Sequence, residues 1–153
     1  MRILALVAVT VAFGVAALAA LAKPQPPTGI KLQLKFGHSL GKIRKGNCKV
    51  EGGVFNFNGE NGNAAMYVQI GNWKGYGKRY QLTPTSKGRI KVVSNAGDQY
   101  NTRFTVPGSN TAGVAADVLF RQNGATIAVG APDLPNSDFT DFLKIQGEAA
   151  CAR

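Results

Sequence analysis

The chain has 153 residues, a net charge of +10 and a single histidine, His38. This length suits one domain that can bury its own core. The two cysteines, Cys48 and Cys151, form no CxxC pair and there is only one histidine, so a zinc site is excluded. A catalytic triad or a histidine-dependent nuclease is disfavoured, because His38 is the only histidine that it could use. The positive charge favours anionic partners such as a membrane surface, an acidic glycan or nucleic acid.

An apolar, alanine-rich run, Ile3–Ala22, follows Arg2 and ends in the small-residue pattern Ala20-Leu21-Ala22, which is typical of signal-peptide cleavage. Residues 1–22 are therefore predicted to be a signal peptide that is removed, and the protein is expected to be secreted and extracellular. A retained membrane anchor is the alternative, because about 20 apolar residues can span a bilayer.

Residues 23–45 are predicted to form a basic arm or pro-segment that contains proline and glycine, with His38 solvated. Within it, Ile30–Phe36 alternates apolar and polar side chains with the period of a strand. Its apolar face could pack on the domain, or dock on a membrane or a partner. Arg44-Lys45 matches a dibasic processing site, at which the segment would be removed.

Residues 46–153 are predicted to form the folded domain, with about seven or eight short strands separated by glycine, asparagine and proline. A turn is expected at Asn58-Gly59 and a β-hairpin around Gln122-Asn123-Gly124. The fold class is therefore all-β, a small antiparallel β-sandwich of the fibronectin or Ig-like kind, with a barrel as second choice. The predicted strands of this domain include Val54–Phe57, Ala65–Ile70, Tyr80–Thr83, Arg89–Val93, Tyr100–Val106, Val114–Phe120 and Ala125–Val129.

The segment Asp133–Gly147 has two interpretations. Ser137 could cap a short helix, or Phe142–Gln146 could form the last strand. The three aspartates of this segment could ligate calcium, yet they lack the regular spacing of a calcium loop. Helix capping and solubility explain them better, so neither a metal nor a cofactor is predicted.

A disulfide between Cys48 and Cys151 is predicted, because disulfides persist outside the cell and two cysteines allow only one intramolecular pair. It would close a loop of about 100 residues, which in the chain-entropy model stabilises the fold by about 4–5 kcal/mol. Free or intermolecular thiols are the alternative.

The stretch Gly71–Lys91 holds six basic side chains, no acidic one and three aromatic rings. Aromatic platforms between cations are suited to stacking on bases or sugars and to binding anionic groups. In the alternative interpretation, Trp73 and Tyr80 cap the edge of the core and the cations are only solvated. The residues predicted to bind a partner are Trp73, Lys74, Tyr76, Lys78, Arg79, Tyr80 and Arg89.

Two short motifs resemble the ToxA group of small secreted proteins from plant-pathogenic fungi. Gly46-Asn47-Cys48 opens the β-rich region, and Ile145-Gln146-Gly147 precedes Cys151. The resemblance implies a signal, a pro-segment and a β-sandwich whose cysteines tie the terminal strands together. It also implies a non-enzymatic effector that acts on or inside host cells. The exposed Arg-Gly-Asp loop of that group has no counterpart, since Ala96-Gly97-Asp98 lacks the arginine.

The sequence therefore predicts a secreted, non-enzymatic effector or binding protein, a virulence factor that acts on host cells through a basic aromatic surface. Its expected partners are a host protein or an anionic surface, either membrane or glycan, and it is expected to be a monomer. Nucleic acid is a further partner that the positive charge allows, but the sequence contains no nucleic-acid-binding motif. One alternative is a cationic antimicrobial or membrane-active protein. Another is a carbohydrate-binding module or a secreted hydrolase that uses paired carboxylates from among Glu51, Glu60, Asp98 and Asp117.

Overall fold

The computed structural model describes residues 26–105, 116–121 and 123–152, and within these ranges every regular element is a β-strand. The all-β class is thereby confirmed, whereas the predicted signal peptide lies outside the described residues. The described part includes no helix that is long and apolar enough to cross a membrane. The strands are β1 (Gly29–Leu34), β2 (Ser39–Ile43), β3 (Lys45–Glu51), β4 (Val54–Glu60), β5 (Ala64–Ile70), β6 (Arg79–Leu82), β7 (Arg89–Ser94), β8 (Gln99–Asn101), β9 (Ala116–Phe120), β10 (Thr126–Pro135) and β11 (Phe142–Ala152).

The eleven described strands join into one continuous sheet that curls into a half-barrel. Its order is β6-β9-β10-β11-β3-β4-β5-β7-β8, while β1 pairs with β11 and β2 pairs with β1. The expectation of purely antiparallel pairing is wrong at one place, where Ala150–Ala152 runs parallel to Lys45–Asn47. The reason is that β11 changes its partner along its length: its first part pairs with β1 in antiparallel register, and its end pairs with β3 in parallel register.

The core is built by alternation along the strands, because successive side chains of a strand point to opposite faces. Phe55 and Phe57 of β4 are fully buried, and their neighbours in β5 continue the same inner face. Met66, Val68 and Ile70 of β5 share this inner face, since all three are buried. The opposite face of these strands is polar and is described below.

The segment predicted to be an arm forms two strands of the sheet from Gly29 onward. Ile30, Leu32 and Ile43 are fully buried, so the apolar face of β1 packs on the protein's own core. Phe36 ends this face and is 72% exposed. The strands β2 and β3 were not predicted, because glycine and lysine interrupt their apolar alternation. Removal of the segment at the dibasic site stays a prediction.

The turn predicted at Asn58-Gly59 is wrong, because both residues continue β4. Gly59 is required there by close packing, since a Cβ atom would lie 2.6 Å from Cγ2 of Ile43. The chain reverses three residues later, where Gly62 has a φ of +82°. The side chain of Asn61 accepts hydrogen bonds from the backbone N–H groups of residues 63 and 64 and so fixes this turn.

The hairpin predicted around Asn123-Gly124 is confirmed, because β9 and β10 pair in antiparallel register. Its connection is longer than a two-residue turn, since β9 ends at Phe120 and β10 begins at Thr126. Gly124 supplies a positive φ of +66°, and Asn123 Oδ1 accepts a hydrogen bond from the backbone of Ala125 (3.0 Å).

The strand predicted at Tyr100–Val106 is much shorter, because β8 ends at Asn101. Thr102 lies in the turn that follows β8, where it is buried, and its hydroxyl accepts a hydrogen bond from the backbone N–H of Ile90 (3.1 Å). Val106 lies outside the described residues.

The helix that Ser137 could have capped does not form, and the alternative of a last strand from Phe142 is confirmed. Asn136 holds the intervening turn, since its side-chain oxygen accepts a hydrogen bond from the backbone of Asp141 (3.1 Å). Phe139 has a φ of +60° in this turn, a conformation that is uncommon for a non-glycine residue.

The predicted disulfide is confirmed. Cys48 of β3 and Cys151 of β11 are joined, with their Cα atoms 5.3 Å apart. The bond lies beside the short parallel pairing, in which Cys151 is opposite Gly46. It therefore ties β11 to β3, whose outward side chains belong to a polar face that is described below.

Candidate binding surfaces

The aromatic residues predicted to meet a partner pack mainly on one another. Phe55 and Tyr80 both stack on the indole of Trp73, with ring centroids 4.8 and 5.4 Å away. Phe120 meets the same indole edge-on at 4.7 Å. We call Phe55, Trp73, Tyr76, Tyr80 and Phe120 the closed cluster. Because two rings stack on Trp73, little of its π-surface is left for a ligand, as in the core-capping interpretation.

The loop that carries the cluster is held by the hydroxyl of Tyr80. This hydroxyl donates a hydrogen bond to the carbonyl of Gly75 (2.9 Å) and accepts one from the backbone N–H of Lys74 (2.9 Å). Tyr76 is the outermost ring, 39% exposed, and it lies against Gly124, where a Cβ atom would be 2.9 Å from the ring. The hairpin glycine thus makes room for Tyr76.

Arg79 is held by a bidentate ion pair across β6 and β9. Its Nε lies 3.1 Å from Asp117 Oδ1 and its Nη2 lies 2.8 Å from Oδ2. This hydrogen bonding lowers the pKa of the Asp117 carboxyl and raises the pKa of the Arg79 guanidinium. The pair joins the edge strand β6 to its neighbour β9, and much of the charge of Arg79 is already neutralised.

Three lysines beside the cluster have no such partner in the part of the chain that the structure describes. Lys74, Lys78 and Lys87 border an open cavity of about 290 Å³, whose wall also includes Tyr80. No carboxylate among the described residues forms an ion pair with these lysines. We call this cavity the lysine cleft. It offers three exposed ammonium groups to an anion.

Arg89, the remaining residue of the predicted site, belongs to a different surface. It lies on the outward side of β7 and lines a depression there together with Lys91, and it is not among the residues that line the lysine cleft. The structure thus brings together six of the predicted binding residues and separates the seventh from them.

A second surface, which the sequence did not reveal, covers the outward side of β3, β4, β5 and β7. Tyr67 is 43% exposed at its centre, with Asn58 opposite on one strand and Lys91 opposite on the other. We call this surface the open face. Its side chains are Lys45, Asn47, Lys49, Asn56, Asn58, Tyr67, Gln69, Arg89 and Lys91.

The residues of the open face are the polar positions that alternate with apolar positions along each strand, whereas the strands were predicted from the apolar positions. Asn56 and Asn58 alternate with the buried phenylalanines of β4, and Tyr67 and Gln69 alternate with the buried residues of β5. Only the strand register shows that these polar positions adjoin. Arg89 was the only member of this surface predicted to bind.

The aspartates considered for calcium binding have other partners, and so do most of the carboxylates considered for catalysis. Asp133 forms an ion pair with Lys35 (3.8 Å), and Asp138 accepts a hydrogen bond from the threonine two residues on. Asp141 Oδ1 accepts one from the backbone N–H of Phe36 (3.2 Å). Of the carboxylates that a hydrolase could use, Glu51 pairs with Lys49, Asp98 accepts a hydrogen bond from the Ser94 hydroxyl (3.3 Å) and Asp117 pairs with Arg79. Glu60 forms no ion pair with any described residue. His38 is exposed between β1 and β2.

Comparison with known proteins adds no assignment, because no family model, no curated protein and no solved structure matches this chain. What the protein does must therefore be inferred from its own surfaces.

Proposed function

We propose that the protein is a secreted, non-enzymatic effector that binds anionic groups on host cells, and that the lysine cleft is its anion-binding site. The observation that carries this proposal is the convergence of Lys74, Lys78 and Lys87 on one open cavity. Like charges gathered in this way repel one another, and an incoming phosphate, sulfate or carboxylate group relieves that repulsion.

Secretion is supported by the Cys48–Cys151 disulfide, because such bonds persist in oxidising compartments. The signal peptide predicted at residues 1–22 and the resemblance to the ToxA group support it further. A fibronectin- or Ig-like sandwich and a role in virulence are what this resemblance implies, and both belong to the proposal.

The cleft is tested by the salt concentration that releases the protein from an immobilised polyanion such as dextran sulfate. The oxidised protein, expressed from its full-length sequence, is compared with the triple variant Lys74→Gln, Lys78→Gln and Lys87→Gln. We expect the variant to elute at clearly lower salt, because salt screens exposed charges and fewer cations then contact the matrix.

The matched control is the triple variant Lys31→Gln, Lys42→Gln and Lys144→Gln. It has the same net charge, and its exposed lysines lie on β1, β2 and β11, away from the cleft. We expect it to elute near the unaltered protein. Equal losses in both triples would show that binding depends on net charge alone and would refute the cleft.

Effector activity is tested by infiltrating the oxidised protein into leaves of many plant genotypes and measuring ion leakage. We expect cell death in some genotypes only, and a weaker response to the cleft triple variant. Leakage that is equal in every genotype would contradict a recognised effector.

A membrane-active function is the second candidate, and the exposed ring of Phe36 favours it. Phe36 is 72% exposed, and the ammonium of Lys35 lies 5.7 Å from its ring centroid. An apolar group beside a cation can insert at an anionic lipid surface. Leakage of anionic vesicles that Phe36→Ser abolishes would favour this function over the cleft.

A further inference from the structure

The open face has one exposed aromatic ring, that of Tyr67, surrounded by side chains that can form hydrogen bonds. Two shallow depressions, of about 430 and 330 Å³, lie on its two sides. Tyr67 and Asn58 line both depressions, so the ring forms a ridge between them. A flat ligand ring could stack on Tyr67 while its neighbours along a chain occupy the depressions.

The strand register arranges the polar groups of the open face in a row. Asn47 is opposite Asn58, Asn58 is opposite Tyr67, and Tyr67 is opposite Lys91. Neighbouring strands are about 4.8 Å apart, so this row spans about 14 Å. This is an extended track that fits a chain-like ligand, not a pocket for a single small molecule.

A second row runs parallel to the first. Asn56 is opposite Gln69, and Gln69 is opposite Arg89. The amide of Gln69 donates a hydrogen bond to Asn56 Oδ1 (3.3 Å), which orients both side chains and leaves their other amide groups available. Within the described ranges, the side chains of Asn47 and Asn58 make no hydrogen bond. These amides can therefore donate to and accept from hydroxyl groups at once.

The charge of the open face selects the kind of chain. Arg89 and Lys91 lie at one end of the rows, and Lys45 lies at the other. Glu60 borders the second end but forms no ion pair with any described residue. The cations outnumber the acids on this surface, so it complements a ligand that carries negative charge along its length.

We propose that the open face is a binding site for an acidic polysaccharide. Tyr67 stacks on a sugar ring, the amides of Asn47, Asn56, Asn58 and Gln69 bind hydroxyl groups, and Arg89 and Lys91 bind carboxylate or sulfate groups. This inference rests on the proposed function only in taking the protein to be a secreted binding protein, because the site is separate from the lysine cleft.

Other macromolecules fit the open face less well. Single-stranded nucleic acid is held by several aromatic platforms in succession, and among the described residues this surface offers only the ring of Tyr67. A membrane would require a continuous apolar patch, whereas amides and cations surround this ring. A sugar chain needs one stacking ring and many hydrogen-bonding partners, and the open face provides both.

The test measures the affinity of the oxidised protein, expressed from its full-length sequence, for four probes. These are an oligogalacturonate, a sulfated oligosaccharide derived from heparin, a neutral β-glucan oligosaccharide and a single-stranded oligonucleotide of matched charge. We expect at least one acidic oligosaccharide to bind more tightly than the other two classes. The first two probes distinguish carboxylate from sulfate groups.

The decisive variants are Tyr67→Ala and its matched control Tyr76→Ala, because both tyrosines are exposed to a similar extent, 43% and 39%. We expect Tyr67→Ala to weaken binding about tenfold or more, which corresponds to about 1.4 kcal/mol. Tyr76→Ala should leave binding unchanged. Tyr67→Phe retains the ring and should bind almost as well as the unaltered protein, and Lys91→Gln should weaken binding of the acidic probes.

Three outcomes would overturn the inference: no binding of either acidic oligosaccharide, tighter binding of the oligonucleotide, or equal losses in the two tyrosine variants. The lysine-cleft triple variant separates this inference from the proposed function. If that variant loses the oligosaccharide while Tyr67→Ala retains it, the open face is refuted and the cleft stands. If only Tyr67→Ala loses it, the inference stands and the cleft is refuted as the site for this ligand.

Discussion

The closed cluster and the open face both combine aromatic rings with cations, but they use the rings in opposite ways. In the closed cluster, Trp73 is stacked by Phe55 and Tyr80, so its ring stabilises the fold. In the open face, Tyr67 is the only ring among the described residues, and amides and cations surround it. A high density of rings and cations in the sequence therefore does not by itself locate a binding site.

The difference arises from the chain that follows β5. This segment runs alongside the residues that precede β4, since the backbone N–H of Trp73 donates a hydrogen bond to the carbonyl of Gly53 (3.3 Å). Trp73 thereby contacts the buried rings of Phe55 and Phe120. Tyr67 lies within β5 and alternates with buried residues, so it must face outward.

The largest expected effect would show whether both regions depend on β1 and β2. Deleting residues 26–44 removes Ile30, Leu32 and Ile43, which are fully buried, and each such side chain contributes about 1.5–3 kcal/mol. This sum is comparable with the whole stability of a typical domain, about 5–15 kcal/mol. We expect no cooperative thermal transition in the circular dichroism of the truncated protein. A cooperative transition would mean that the two regions form without these strands.

Loss of the disulfide should have the next largest effect. The bond joins residues 103 positions apart, and in the chain-entropy model a loop of this size contributes about 4–5 kcal/mol. We expect Cys48→Ser with Cys151→Ser to lower the free energy of unfolding by about this amount in urea. Hydrogen exchange should accelerate more in β3, which borders the open face, than in β6. Uniform acceleration would show that the disulfide does not protect β3 selectively.

Two single variants compare the regions directly. Trp73→Ala should lower the free energy of unfolding by about 3 kcal/mol, because it removes a ring that four others contact. Tyr67→Ala should change it by less than about 1 kcal/mol, as for exposed cross-strand positions. Urea denaturation measures both values. Equal losses would mean that Tyr67 is as much a structural residue as Trp73.

The smallest expected effect concerns the ion pair beside the closed cluster. The hydrogen bond from Arg79 lowers the pKa of Asp117, so the stabilisation is present above the ordinary pKa of a carboxyl and is lost as pH falls through the lowered value. Asp117→Asn should therefore lower the Tm slightly at neutral pH and leave it unchanged in strong acid. A difference in Tm that persists in strong acid would assign the effect to packing.

The sequence predicted the features that depend on local patterns. It did not predict the features that depend on contacts between strands far apart in the sequence. The all-β class followed from period-two alternation, and the Cys48–Cys151 pair followed from the number of cysteines. The turn at Asn58-Gly59 was misplaced, because Gly59 is required by its contact with Ile43. The open face was missed for a similar reason: Tyr67 gains its neighbours only through the register of four strands.

The most direct test of the contrast is an NMR titration of the isotope-labelled, oxidised protein with an oligogalacturonate. We expect the signals of Tyr67, Asn58 and Lys91 to shift with increasing ligand, while the indole N–H signal of Trp73 stays in place. Shifts at Trp73 without any change in the signals of Tyr67, Asn58 and Lys91 would contradict this account. They would identify the closed cluster as the surface that binds.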